Sequence, residues 1–221
     1  QLCERYLTEY AETQKKEYSA YQDRRMIELY VKPKLGSRLV TDVTRADAIS
    51  LHTSIKKTPY QANRVNSLLS KLMNLAEKWG LRLDGSNPCR HVEKFPEKKR
   101  ERKLTPNELA NLGKALNEVE KEGKELAGVI PAIRLLLFTG CRRGEILTLR
   151  WEHVDLANKC LRLPDSKTGA KVVPLNQPAI EILEGLEGND PDWVIPGRKK
   201  ETHLVNLAKP WRRIREKAEL D

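Results

Sequence analysis

LLLFTGCRRGEILTLRW, residues 135–151, is the stretch around which the rest of the chain is organised. It opens as an apolar helix pattern, breaks at Thr139-Gly140, and restarts through Glu145-Ile146-Leu147 to Leu149. Gly140 suits the position just past a helix end, where the left-handed conformation is cheap only for glycine. The spacing therefore predicts a helix, a tight turn, and a second helix with Arg142 at its mouth and Glu145 one turn along. An arginine fixed on such a turn and steadied by a carboxylate is suited to gripping a phosphate. The same letters also describe a helix-turn-helix corner carrying a solvated Arg-Arg pair, and the stretch by itself leaves both open.

Outward from that motif, the charge is unevenly spread. The 221 residues carry a net charge of +10, with 33% charged and only 5% aromatic residues. Residues 1–103 hold 22 Lys/Arg against 13 Asp/Glu, a balance of +9, whereas residues 104–221 hold 19 against 18, a balance of +1. A basic half joined to a near-neutral half suggests that the first half meets a polyanion, nucleic acid being the commonest; a solvated basic surface is the alternative. Cys3, Cys89, Cys141 and Cys160 show no Cys-x-x-Cys spacing, and the four histidines form no His-x3-His pair, so no zinc site is expected. Scattered cysteines fit a reducing cytoplasm, and no apolar run is long enough for a membrane span or a signal peptide. The first residue is Gln1 rather than Met, which suggests a piece of something longer.

The N-terminal part reads as helices. Leu2, Tyr6, Leu7 and Tyr10 recur at helical spacing, and a second segment runs from Tyr21 to Val31, with Pro33 as its stop. Thr44 with Asp47 resembles a capping box, and Thr58-Pro59 is a second start signal for a helix running to Trp79 and ended by Gly80. The polar positions of that helix, Gln61, Asn63, Arg64, Asn66, Ser67 and Lys71, suit phosphate contacts, although a plain amphipathic surface helix has the same composition. Residues 84–103, with Pro88, Pro96 and the basic run Lys98, Lys99, Arg100, Arg102 and Lys103, read as a linker, either lying along a nucleic-acid backbone or serving as a solvated tether. A new helix then opens at Thr105-Pro106-Asn107-Glu108. After the central motif, segments at 154–156, 160–163 and 171–175 read as short strands, followed by helices over 178–186 and 203–220. The predicted fold is mainly α with a small antiparallel sheet.

Ser166-Lys167-Thr168-Gly169 is not a phosphate loop, because the glycine follows the lysine instead of preceding it. What remains is a lysine at a hairpin tip. Taken with Thr139-Gly140-Cys141-Arg142-Arg143-Gly144-Glu145, Leu149-Arg150-Trp151, Val154-Asp155 and Val173-Pro174-Leu175, it resembles the tyrosine recombinases, the phage-type integrases that exchange DNA. The resemblance implies a helical core-binding, DNA-binding domain over 1–83, a basic linker over 84–103, and the N-terminal part of an α+β catalytic domain over 104–221, incomplete at its C-terminus. It further implies that Arg142 is a catalytic arginine, that Glu145 helps to position it, and that Lys167 is the hairpin lysine, with Arg143 at a variable position. Arg64, Lys71, Lys98, Lys99, Arg100 and Arg102 are the expected contacts to double-stranded DNA. No cofactor is expected, and the intact enzyme would work as a homo-tetramer on paired sites.

The physical rationale is consistent. Attack on a phosphodiester builds charge on non-bridging oxygens, which a bidentate arginine stabilises. A lysine beside the departing 5′-oxygen can protonate it, and the family's tyrosine forms a 3′-phosphotyrosyl link that conserves the bond for rejoining. This sequence departs from the pattern in one respect: no histidine is followed three residues later by arginine, and all six tyrosines lie between Tyr6 and Tyr60. The expectation is a chain that binds DNA without cleaving it. The alternatives are a non-catalytic DNA-binding remnant or regulator, and a helical protein-interaction module.

Overall fold

The computed structural model describes residues 1–99, 101–164, 169–199 and 201–220. The chain divides into two compact units, Gln1–Glu101 and Arg102–Asp221.

The first unit is helical. Helix α1 (residues 2–14) consists of Leu2–Arg5, a π-wound stretch Tyr6–Ala11 and Glu12–Gln14. Helix α2 (residues 17–35) consists of Glu17–Met26, a second π-wound stretch Ile27–Val31 and Lys32–Leu35. Pro33 therefore does not stop this helix as its sequence suggested. It stands at the second position of the terminal segment, directly after a widened π turn, where its ring and missing N–H are tolerated. Helix α3 (Arg45–Ser54) begins with the expected capping box: the Asp47 N–H donates to Thr44 Oγ1 at 3.3 Å and the Thr44 N–H to Asp47 Oδ2 at 2.9 Å.

Helix α4 (Pro59–Lys78) is the spine of the unit. Ala62, Val65, Leu68, Leu69, Leu72, Leu75 and Ala76 recur along one face and are buried against Tyr6, Leu7, Ile27 and Leu51. Each buried leucine contributes on the order of 2 kcal/mol. Gly80, at φ 68°, closes the helix: the Leu81 N–H reaches Ala76 O at 2.8 Å and the Gly80 N–H reaches Glu77 O at 3.0 Å. Thr58 does not cap the other end, since its hydroxyl turns back to Ile55 O at 3.4 Å and leaves Pro59 to set the first turn.

The tract expected to be a linker is bound to this unit over most of its described length. Asn87 and Cys89 are buried, Phe95 stacks on the His52 ring at 4.3 Å, and Asn63 both accepts from the Phe95 N–H and donates to the Phe95 carbonyl, each at 2.9 Å. Its charge and prolines suggested a tether, but Cys89, Val92 and Phe95 supply the apolar contacts that dock it.

The second unit is α+β. Helix α5 (Pro106–Glu122) starts at the Thr105–Glu108 capping box, and helix α6 (Val129–Thr139) contains Pro131 in its first turn. Helix α7 (Arg143–Leu147) follows the central turn. Strands β1 (Val154–Asp155), β2 (Cys160–Leu163) and β3 (Lys171–Pro174) form an antiparallel sheet in that order. Leu161 pairs with Val173 and Leu163 with Lys171, so Leu161, Leu163, Val173 and Lys171 share one face. Helix α8 (Gln177–Leu186) and helix α9 (Ala208–Lys217) complete the unit around Leu112, Leu135, Ile146, Leu149, Leu161 and Leu183. The last helix is shorter than the sequence suggested, because residues 203 and 204 are extended: His203 bridges Pro196, and the Leu204 N–H donates to Ile195 O at 3.0 Å. Among the described residues no helix is long and apolar enough to cross a membrane, and no three His, Cys, Asp or Glu side chains converge to hold a metal ion.

Candidate active site around Arg142

The turn at Arg142 is built from both sides. Helix α6 ends with Gly140 in the left-handed conformation (φ 63°, ψ 15°), with its N–H on Leu136 O at 3.1 Å. Thr139 Oγ1 donates to Leu135 O at 2.6 Å and accepts the Cys141 N–H at 3.2 Å, while the Cys141 side chain is buried in the core. Downstream, Ile146 and Leu147 anchor α7 in the same core. Arg142 lies between these anchors in an extended conformation, with its side chain 49% exposed.

Glu145 holds that arginine. The Arg142 backbone N–H donates to Glu145 Oε2 at 2.8 Å, and Arg142 Nη1 donates to Oε1 at 2.9 Å. A third donor, Lys171 Nζ, reaches Oε2 at 2.8 Å. The Glu145 side chain is only 9% exposed. Burial by itself would raise its carboxyl pKa, but the Lys171 ammonium, the Arg142 amide and the Arg142 guanidinium overcome that and hold it at about 2. Arg142 Nε and Nη2 make no hydrogen bond among the described residues, and the side chain is half-exposed. The arrangement is a fixed, half-exposed guanidinium with its remaining donors available to an anion.

Arg142 and Glu145 are thus brought together. Lys167 and Arg100 lie outside the described residues. Lys171 was not singled out from the sequence, although a signal was present: in Lys171-Val172-Val173-Pro174-Leu175 the lysine occupies the same strand face as Val173, and an inward-facing lysine needs a carboxylate.

The other candidates are distributed differently. Arg64 and Lys71 line one cleft of the first unit together with Lys15, Gln22, Ser67 and Lys94. Lys71 Nζ sits 4.2 Å from the centre of the Tyr10 ring. Asn63 and Asn66, grouped with them by sequence, are buried instead, and Asn63 is occupied by Phe95, Glu97 and His52. Lys98 and Lys99 are exposed, and the Lys98 carbonyl accepts from Tyr60 Oη at 2.5 Å. Arg102 belongs to the second unit, where Nη2 donates to Glu108 Oε1 at 2.6 Å at the start of α5.

Residues 102–221 match the model of the phage integrase family. The chain belongs to that family, the tyrosine recombinases. It is 36% identical over 140 residues to a shufflon-specific DNA recombinase of Escherichia coli, a match covering 60% of this chain and 34% of the relative. It is 27% identical over 185 residues to the prophage integrase IntZ of Escherichia coli strain K12, covering 81% of this chain and 45% of that one. The integrase chain therefore spans between about a third and a half of the length of these relatives. Among solved structures, a lambda integrase dimer bound to a COC′ core site superposes with a TM-score of 0.78 at 19% identity, covering 100% of this chain and 81% of that chain. A lambda integrase tetramer bound to a Holliday junction gives 0.78 at 18% identity, covering 100% and 66%. At these identities the structural likeness carries the fold.

Proposed function

We propose that this chain is the DNA-binding and arginine-bearing part of a site-specific tyrosine recombinase, and that Arg142 grips the phosphodiester at which strands are exchanged. The observation that carries this reading is the half-exposed guanidinium clamped by a buried carboxylate on the central turn of a phage integrase family member. Arg142 stabilises charge on the non-bridging oxygens as the phosphorus is attacked, and its clamped edge removes the cost of orienting it during reaction. Glu145 is the positioning acid. Lys167 is assigned as the general acid for the departing 5′-oxygen, on the sequence resemblance alone. The reaction class is breakage and rejoining of DNA strands through a 3′-phosphotyrosine, with no cofactor required.

Residues 1–83 form the core-binding domain in this reading, residues 84–103 join it to the catalytic domain, and residues 104–221 contribute the first part of that domain. Arg64 and Lys71 supply phosphate contacts from their shared cleft, with Lys98, Lys99, Arg100 and Arg102 along the adjoining segment. The solved relatives are DNA-bound dimers and tetramers, which supports duplex DNA as partner and a homo-tetramer for the intact enzyme. Within the 221 residues no His-x-x-Arg is present and every tyrosine lies at or before Tyr60, so this chain binds DNA without cleaving it.

The test is duplex binding by fluorescence anisotropy as KCl is raised, together with a nicked suicide duplex that traps covalent adducts. The expected result is a steep linear fall of log affinity with log salt and no adduct. Lys71→Gln should reduce the salt slope by about 1 while weakening all sequences alike. Absent or salt-insensitive binding overturns the DNA-binding assignment, and a trapped adduct overturns the non-cleaving one. Binding as tight in Arg142→Ala as in the unsubstituted chain would favour a DNA-binding regulator in which Arg142 has no phosphate to hold.

A further inference from the structure

Lys171 is the third arm of the Arg142 site, and neither its strand nor its burial explains why a lysine stands there. It occupies the inward face of β3, opposite Leu163 and in line with Val173, a position that elsewhere in the strand is apolar. Its stem crosses that face and its ammonium meets Glu145 Oε2 at 2.8 Å, leaving the side chain 30% exposed. Glu145 then carries two cations: Arg142 Nη1 on one oxygen, and Lys171 with the Arg142 amide on the other.

We infer that Lys171 is a positioning residue, which fixes Glu145 from the sheet side so that Glu145 can fix Arg142 from the helix side; the inference rests on the proposed role of Arg142. Two observations beyond the contact itself support it. First, a carboxylate with a single cation partner can rotate about its last torsion and let the arginine leave. Here Oε1 takes Arg142 Nη1 from the turn before α7, and Oε2 takes the Arg142 N–H together with Lys171 Nζ from β3, so that rotation costs a second charge-assisted hydrogen bond, one from the sheet. Second, Lys171 pairs with Leu163 at the end of β2 and the start of β3, so the residue pinned to Glu145 is also the first residue of β3. Lys167 stands four positions before it in sequence. The strut therefore ties the start of β3 to the arginine-bearing turn, so the sheet and the turn support one guanidinium together. Lys171 does this through Glu145 and is not assigned a contact with DNA.

The experiment uses the whole 221-residue chain, isotopically labelled, with Lys171→Met, Lys171→Arg and, separately, Arg142→Ala. Three quantities are read: the Glu145 carboxyl titration by carbon NMR, the exchange rate of the Arg142 guanidinium protons, and duplex DNA affinity at fixed low salt. In Lys171→Met the Glu145 midpoint should rise by about one pH unit or more, as expected on losing one opposite charge at this distance. The Arg142 protons should exchange several-fold faster, and duplex affinity should fall by about as much as in Arg142→Ala. Lys171→Arg should restore all three, which a merely structural defect would not do. An unmoved Glu145 midpoint together with unmoved Arg142 exchange overturns the inference.

Should Lys171→Met fail to fold, the Lys171 ammonium itself decides. Its protons should be protected in the unsubstituted chain and should exchange rapidly in Glu145→Gln, and equal exchange in the two overturns the inference. Failure of the underlying reading looks different. Glu145 and Arg142 would respond to Lys171→Met while Arg142→Ala leaves duplex binding untouched, so Lys171 would position an arginine that holds no DNA.

Discussion

Asp23 in the first unit and Glu145 in the second are carboxylates with equally buried side chains, each 9% exposed, and each gathers more than one donor. Their partners make them different devices. Asp23 accepts the Tyr6 hydroxyl at 2.6 Å and the Lys15 ammonium, and Tyr6 is fully buried. Burial and then the hydrogen bond and charge of Asp23 push the Tyr6 phenol pKa upward, so Tyr6 stays protonated and keeps donating across the physiological range. That network ties α1 to α2 and is directed inward. Glu145 instead gives one oxygen to an arginine that is half in solvent. The same chemistry, a buried carboxylate with cationic partners, locks a core in one unit and presents a cation in the other. The exposure of the partner decides which. The two sites should therefore separate stability from binding.

The largest effect is expected at Asp23. Asp23→Ala leaves a buried phenol without its acceptor and an ammonium without its counter-ion, a class of change that costs about 3–5 kcal/mol. Trp79 is the one tryptophan in residues 1–101, and the other three lie in the second unit. Urea unfolding followed at Trp79, in variants that keep only that tryptophan, should show the loss in the first unit. A cost under about 1 kcal/mol would place Asp23 with surface ion pairs instead.

Glu145→Gln should cost less, about 2 kcal/mol on the second unit, because the amide oxygen still accepts one of the three donors. Its pH dependence is more informative. The folded-state pKa of Glu145, about 2, lies below the ordinary value of 4.5, so the stabilisation is present above the unfolded value and is lost as pH falls from about 4.5 through about 2. Acid unfolding of the second unit should be steeper across that window in the unsubstituted chain than in Glu145→Gln. Parallel curves would mean that the carboxylate gains nothing from Arg142 and Lys171.

The two sites also differ in how far the sequence disclosed them. The Arg142 turn was legible because each of its parts is a local signal: an apolar helix, a glycine at positive φ, and a glutamate three residues after an arginine. The capping boxes at Thr44 and Thr105 were legible for the same reason. Asp23 gave no signal, since its partners stand 17 and 8 residues away and the pairing depends on how α1 meets α2. The docking of residues 87–98 onto α4 was hidden too. It depends on Asn63, 32 residues from Phe95, serving as donor and acceptor at once. Lys171 lies between these cases. Strand parity marked it as inward-facing, but only the meeting of β3 with α7 identified Glu145 as its partner.

The smallest stability effect, and the sharpest test of the comparison, is expected at Arg142. Although it contacts a buried carboxylate with two cationic partners, its own side chain is half-exposed, so the ion pair it forms is partly screened by water. Arg142→Ala removes one of Glu145's three donors and leaves Lys171 Nζ on Oε2, while the backbone N–H of residue 142 is retained. The carboxylate is then still neutralised, and the cost to folding should be at most about 1 kcal/mol. The orienting contact between Nη1 and Oε1 has a purpose only if something outside the fold meets the remaining donors. A stability loss of about 3 kcal/mol would instead make Arg142 a structural residue like Lys15, and the contrast between the two carboxylates would disappear. If stability is nearly unchanged while duplex affinity falls several-fold, Arg142 acts on what binds the chain, as a presented guanidinium should.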